Sequence, residues 1–161
     1  MAAIGVTDLR VEVSGGRSIV ETLSGQENAA DVVGRLRDTG FSGCWVIAVG
    51  TNDAANIAAG AARQADERIV AMMAAIGADR VLWIDAATVA ESGFWASPNI
   101  VAWNGFLAAA VGSYPNLRIA PWSRIVRPEW FESDGIHPNA AGSAGRVEFV
   151  AAAVLANFPS T

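Results

Sequence analysis

Cys44-Trp45-Val46-Ile47-Ala48-Val49-Gly50-Thr51-Asn52-Asp53 is the stretch that decides the fold. Its apolar residues run continuously instead of alternating with polar ones. A strand covered on both faces, as in a parallel sheet, reads that way. The run ends at a glycine and turns polar at once, so the chain leaves the strand through a tight turn. Outward from it, Val81–Ile84 is a second run of the same kind, and Leu9–Val13 and Leu117–Ala120 read as further short strands. Alanine-rich stretches separate them, with helices expected over Gln26–Arg37, Ala58–Ile76, Asn99–Val111 and Ala140–Ala156. Strands alternating with helices specify an α/β protein built on a parallel sheet. Gly40, Gly77 and Gly112 follow three of the helices, where left-handed C-caps are expected. No repeat, low-complexity tract or linker interrupts residues 1–161, which predicts one domain.

Composition narrows the function classes. Hydrophobic residues make up 52% of the chain and charged residues 17%, which excludes a disordered protein. A net charge of −5 speaks against a nucleic-acid partner, because phosphate binding needs a basic footprint. All 11 basic residues are arginine. The single cysteine, Cys44, has no internal disulfide partner and is expected to be a small core residue. No apolar stretch reaches the roughly 20 residues of a membrane span. No basic segment followed by an apolar one opens the chain, so no signal peptide is visible and the compartment stays open.

Three segments carry residues suited to chemistry. Ser133-Asp134-Gly135-Ile136-His137-Pro138-Asn139 holds the only histidine. An aspartate three residues earlier, across a glycine turn, can accept the Nδ1 proton and aim Nε2 outward for proton transfer. The same spacing also suits a surface loop pair or a helix start. Gly50-Thr51-Asn52-Asp53 follows the buried strand, and the Asn52 carboxamide can donate to a developing oxyanion. Asn and Asp are equally ordinary turn and N-cap residues. Ser14-Gly15-Gly16-Arg17-Ser18 follows the first expected strand, and its glycines let backbone N–H groups approach a ligand. A plain strand-to-loop turn explains them as well. No phosphate-loop pattern is present, which disfavours a dinucleotide- or flavin-binding reading. Five tryptophans, Trp83, Trp95, Trp103, Trp122 and Trp130, invite a sugar-stacking reading. Trp83 is expected in the core and the others half-buried, with Trp95 and Trp130 in loops near the site.

Together, in order and context, these segments resemble the second, third and fifth conserved blocks of the SGNH/GDSL hydrolase family. The resemblance runs the length of the chain. It implies a three-layer α/β/α sandwich with a flavodoxin-like parallel sheet. It implies that Asp134 and His137 are the catalytic acid and base, and that Gly15 N–H and the Asn52 amide form the oxyanion hole. The activity implied is serine esterase or O-acyltransferase chemistry on a small-molecule or carbohydrate ester, with no metal or organic cofactor. Pro115–Trp122 also resembles the strand and tryptophan before the fifth block in cell-envelope acyltransferase-linked members.

One departure limits what is carried over. The family's first block, a Gly-Asp-Ser that supplies the nucleophile, occurs nowhere here. Met1–Val6 reads like the end of the helix that should follow it. Three explanations stand side by side: a chain truncated at its N-terminus, a short member that binds without hydrolysing, or a relocated nucleophile at Ser14 or Ser18. The family's first strand lies between its second and third. The expectation is therefore that Leu9–Val13 pairs directly with Trp45–Val49, or that another segment or a second copy of the chain fills the gap.

Overall fold

The computed structural model describes residues 8–158, so the reading of Met1–Val6 lies outside the described residues. In chain order the elements are α1 (Ala29–Asp38), β1 (Cys44–Ile47), α2 (Thr51–Ala58), α3 (Ala65–Ile76), β2 (Arg80–Ile84), α4 (Ser97–Ala110), β3 (Leu117–Ala120) and α5 (Ala140–Asn157). Two 3-10 turns, Trp122–Arg124 and Pro128–Trp130, lie between β3 and α5. The three strands form one parallel sheet in the order β1-β2-β3, with Val46 opposite Leu82 and Leu82 opposite Arg118.

Strand alternation divides the core into two layers. Val81 and Trp83 face one way and join Trp45, Ile47 and Leu117 under α1, α3 and α4. Leu82 and Ile84 face the other way and join Ala120, Trp122 and Val154, the last on α5. The central strand is therefore covered on both sides, and from Val81 to Ile84 no residue is more than 1% exposed. Each such side chain contributes about 1.5–3 kcal/mol through its removal from water. The result is a three-layer α/β/α sandwich around a parallel sheet. No helix of the described residues is long and apolar enough to cross a membrane.

The structure corrects the sequence reading in several places. Leu9–Val13 is not a strand and does not pair with β1. It has the alternation of one, but its even residues are held by side-chain contacts, with no strand ladder. Arg10 donates to Thr39 Oγ1 at 3.2 Å and lies over the Phe41 ring, and Glu12 accepts from Arg35 at 3.1 Å. Its odd residues have nothing to pack against, so Leu9, Val11 and Val13 are 52%, 66% and 83% exposed. Without a neighbouring ladder or an apolar partner, alternation alone does not make a strand.

The helix expected over Ala58–Ile76 begins only at Ala65, as α3, and the residues before it form a separate helix, α2, that the sequence reading did not foresee. The chain breaks at Gly60, which has a positive φ of 91°. It restarts at a capping box in which the Gln64 and Glu67 side chains satisfy each other's backbone N–H groups. Gly40 and Gly77 have the positive φ expected of them, but Gly112 does not. There α4 runs out through turns in which Ser113 and Tyr114 N–H both return to the Ala110 carbonyl. Cys44 begins β1 half-buried rather than fully buried. Trp103 and Trp122 are fully buried rather than half-buried, each only 2% exposed.

Candidate functional site

Every segment singled out above follows the carboxyl end of a strand or packs against one that does, the edge where open α/β sheets bind ligands. Gly50 ends the β1 run at φ 143°, and α2 begins at the next residue. A side chain at position 50 would run into the Trp103 indole, so only glycine brings the chain this close. That tight exit puts Asn52 in the first turn of α2. Its Nδ2 donates to the Arg17 carbonyl at 3.3 Å, and its Oδ1 accepts from Trp95 Nε1 at 3.2 Å.

Beneath Asn52 lies a buried ionic cluster. Arg68 and Asp53, both fully buried, are joined at 2.9 Å, and Asp53 Oδ1 also accepts from Ile19 N at 2.9 Å. Arg68 is paired as well with Glu21, which accepts from Ser18 Oγ at 2.7 Å and Asn56 Nδ2 at 3.0 Å. Burial pushes the Asp53 carboxyl up, against the opposing pull of Ile19 N–H and Arg68. Burial pushes Glu21 up too, but its hydrogen bonds from Arg68, Ser18 and Asn56 outweigh it and hold it at about 2. The cluster thus clamps the 17–21 loop onto the start of α2.

His137 sits in the loop between the second 3-10 turn and α5. Asp134 Oδ2 lies 2.7 Å from His137 Nδ1, while Oδ1 accepts from the backbone N–H of Ile136 at 2.8 Å and of His137 at 3.0 Å. These donors, the imidazole first, hold the Asp134 carboxyl at about 2. The dyad is therefore built by one short turn, whose Gly135 has a positive φ of 69°. With Nδ1 engaged, the rest of the ring faces solvent, the His137 side chain being 76% exposed. Asn139 caps α5 by accepting from Gly142 N at 3.0 Å and anchors the loop by donating to the Glu129 carbonyl at 2.9 Å.

The segment after β2 ties the two halves together. Val89 N donates to the Gly135 carbonyl at 2.8 Å, and a side chain at position 135 would lie 2.8 Å from Ala90 N. Ser97 N donates to the Ala90 carbonyl and Thr88 Oγ1 to the Trp95 carbonyl, both at 2.8 Å. Trp95 then reaches Asn52. His137 and Asn52 accordingly stand on the same edge of the sheet, linked through residues 85–97.

The remaining predicted site residues are placed less tightly. Gly15 is exposed, its carbonyl accepts from Gln26 Nε2 at 3.1 Å, and a side chain there would meet nothing. Gly16, not Gly15, takes the positive φ of 72° in that turn. Ser14 is exposed. Ser18 is 2% exposed, with its hydroxyl committed to Glu21. Among the described residues, no serine hydroxyl is hydrogen-bonded to His137. None of them forms a cluster of three His, Cys, Asp or Glu side chains suited to a metal. Trp130 stacks on Trp122 at 5.8 Å and packs against Gly142 and Gly145, so it is a packing residue.

Sequence reading missed the Arg68 cluster and the Trp95 contact. The first had a signal. Position 68 falls on the apolar stripe of α3 with Ala65, Ile69, Met72 and Ile76, and an arginine there demands carboxylate partners. The second had none, because Trp95 and Asn52 are far apart in sequence.

No family model matches this sequence, and no curated protein matches it. Solved structures similar to it include the following two. One is an acetyl esterase mutant with a serine replaced by alanine and an acetate ion bound, 24% identical, with a TM-score of 0.52 over 78% of this chain and 63% of that one. The other is LAE5, an alpha/beta hydrolase enzyme from the metagenome of Lake Arreo, Spain, 13% identical, with a TM-score of 0.51 over 81% of this chain and 67% of that one. The chain thus spans 63% of the acetyl esterase's length. At these identities the likeness establishes a common α/β fold.

Proposed function

We propose that the residues gathered at this edge form an SGNH-type site for an acyl ester, a small molecule or an acetylated carbohydrate, working through an acyl-enzyme. One observation carries the reading: a histidine with Nδ1 fixed by a carboxylate at 2.7 Å and its outer edge open, on the same sheet edge as a carboxamide held from both sides. In this scheme His137 Nε2 takes the proton of a serine hydroxyl as its oxygen bonds to the acyl carbon. Asp134 stabilises the imidazolium, and Asn52 Nδ2–H, with Gly15 N–H, supports the oxyanion. The imidazolium then returns the proton to the departing alcohol. Water or a sugar hydroxyl takes the acyl group by the reverse sequence. The serine is the one component that these four residues do not supply. The acetyl esterase likeness supports acetyl as the acyl group.

A second reading, a pocket that holds an acetyl or carboxylate group without turning it over, is favoured by the buried, committed hydroxyl of Ser18. Treatment with p-nitrophenyl acetate and a fluorophosphonate probe separates the two. Covalent labelling of a serine, lost in His137→Ala, supports the acyl-enzyme. Acetate binding with no labelling selects the passive pocket. Ester hydrolysis unchanged in His137→Ala ends the hydrolase reading.

A further inference from the structure

The Asn52 carboxamide lies between two partners of opposite kind. The Trp95 indole is a donor only, and the Arg17 carbonyl is an acceptor only. The first must therefore meet Oδ1, at 3.2 Å, and the second Nδ2, at 3.3 Å. Turning the amide over would set donor against donor and acceptor against acceptor. One of the two Nδ2 protons is taken by Arg17 and the other is left. Its direction is fixed by the plane of the amide, which the two contacts together define.

Trp95 is suited to this task by its own anchoring. Its carbonyl accepts from Thr88 Oγ1, and its segment is tied through Val89 and Ala90 to the turn of Asp134 and His137. The indole therefore refers the amide to the same framework that holds the imidazole. We propose that Trp95 is the positioning residue of this site: its indole N–H holds Asn52 Oδ1 so that the free Nδ2–H points at the acyl oxygen. The indole N–H is thereby consumed, and any contact Trp95 makes with a ligand is through its ring. This inference rests on reading Asn52 as the oxyanion donor.

The test uses the whole chain, 15N-labelled, with sodium acetate as the probe. Asn52→Ala should move the Trp95 indole Hε1 resonance upfield without acetate present, through loss of its acceptor. Asn52→Ala and Trp95→Phe should each weaken acetate binding about tenfold, the scale of a hydrogen bond to a charged group. Trp95→His, which keeps a ring N–H, should recover most of that loss. A purely structural tryptophan would be served as well by phenylalanine as by histidine. An indole resonance indifferent to Asn52→Ala overturns the inference. So does Trp95→Phe binding acetate like the parent protein while Asn52→Ala does not, an outcome that leaves the reading of Asn52 intact. If Asn52→Ala also binds acetate normally, the oxyanion reading fails and takes this inference with it.

Discussion

Asn52 and Asp134 do different electrostatic work, and substitution should separate them. In the proposed scheme, removing the Asn52 amide takes away a donor aimed at charge that develops only in the transition state. In an acyl-transferring form, Asn52→Ala should lower kcat by about 10²–10³ with little change in KM. Asp134→Asn leaves the turn nearly intact but offers the imidazole the wrong partner, and turnover should fall by about 10⁴, read from steady-state ester hydrolysis. With its carboxyl held at about 2, Asp134 is ionised throughout the neutral and mildly acidic range. A step in activity from Asp134 protonation should therefore appear only near pH 2 in the pH profile of ester hydrolysis. Gly50 sets the position of Asn52 from below. Gly50→Ala combines a positive φ with a collision against Trp103, so a loss of about 2 kcal/mol or more is expected in thermal or urea unfolding.

At the scale of elements, the contact of α2 and α3 with the 17–21 loop depends on Arg68. Arg68→Met would leave Asp53 buried without its cation, at a cost of about 3–5 kcal/mol in urea unfolding. A double replacement with apolar residues at 53 and 68 should recover much of this, since it is the unpaired charge that is costly. The cluster also makes an acid signature. Glu21 stands at about 2 when folded, below the roughly 4.3 of an unfolded glutamate. A carboxyl lowered on folding stabilises fully above its unfolded value and loses that contribution as pH falls through its folded one. The urea midpoint should therefore drop between about pH 4.3 and 2, and Glu21→Gln should flatten that drop. Asp53, raised by burial, works in the opposite direction and blunts it.

Across the whole molecule, stability should grade from the centre of the sheet outward. β2 is paired on both sides and buried on both faces, whereas β1 is paired only on the β2 side among the described residues. Hydrogen exchange should find the Val81–Ile84 amides slowest, those of β1 intermediate, and those of Leu9–Val13 close to unprotected rates. Slow exchange at Leu9–Val13 would mean that in solution this segment gains a strand partner that the structure lacks. Val46, on β1, is 38% exposed on the face away from α1, so the sheet is uncovered there as well as unpaired at its edge.

The amino-acid order alone determined what depends on near neighbours. A continuous apolar run specified β2 almost to the residue, the short Leu117–Ala120 run matched β3, and the Asp134–His137 contact is local, because only two residues, one of them glycine, separate the two side chains. Gly60 and the Gln64–Glu67 capping pair were equally local and could have been read as a break between two helices. What depends on distant partners was decided only in three dimensions. Leu9–Val13 has the pattern of a strand but no ladder to join, and backbone pairing is a property of two segments. Trp95 meets Asn52, and Arg68 meets Glu21 and Asp53, because three strands bring their carboxyl ends to one edge. No single segment encodes which side chains will be opposed there.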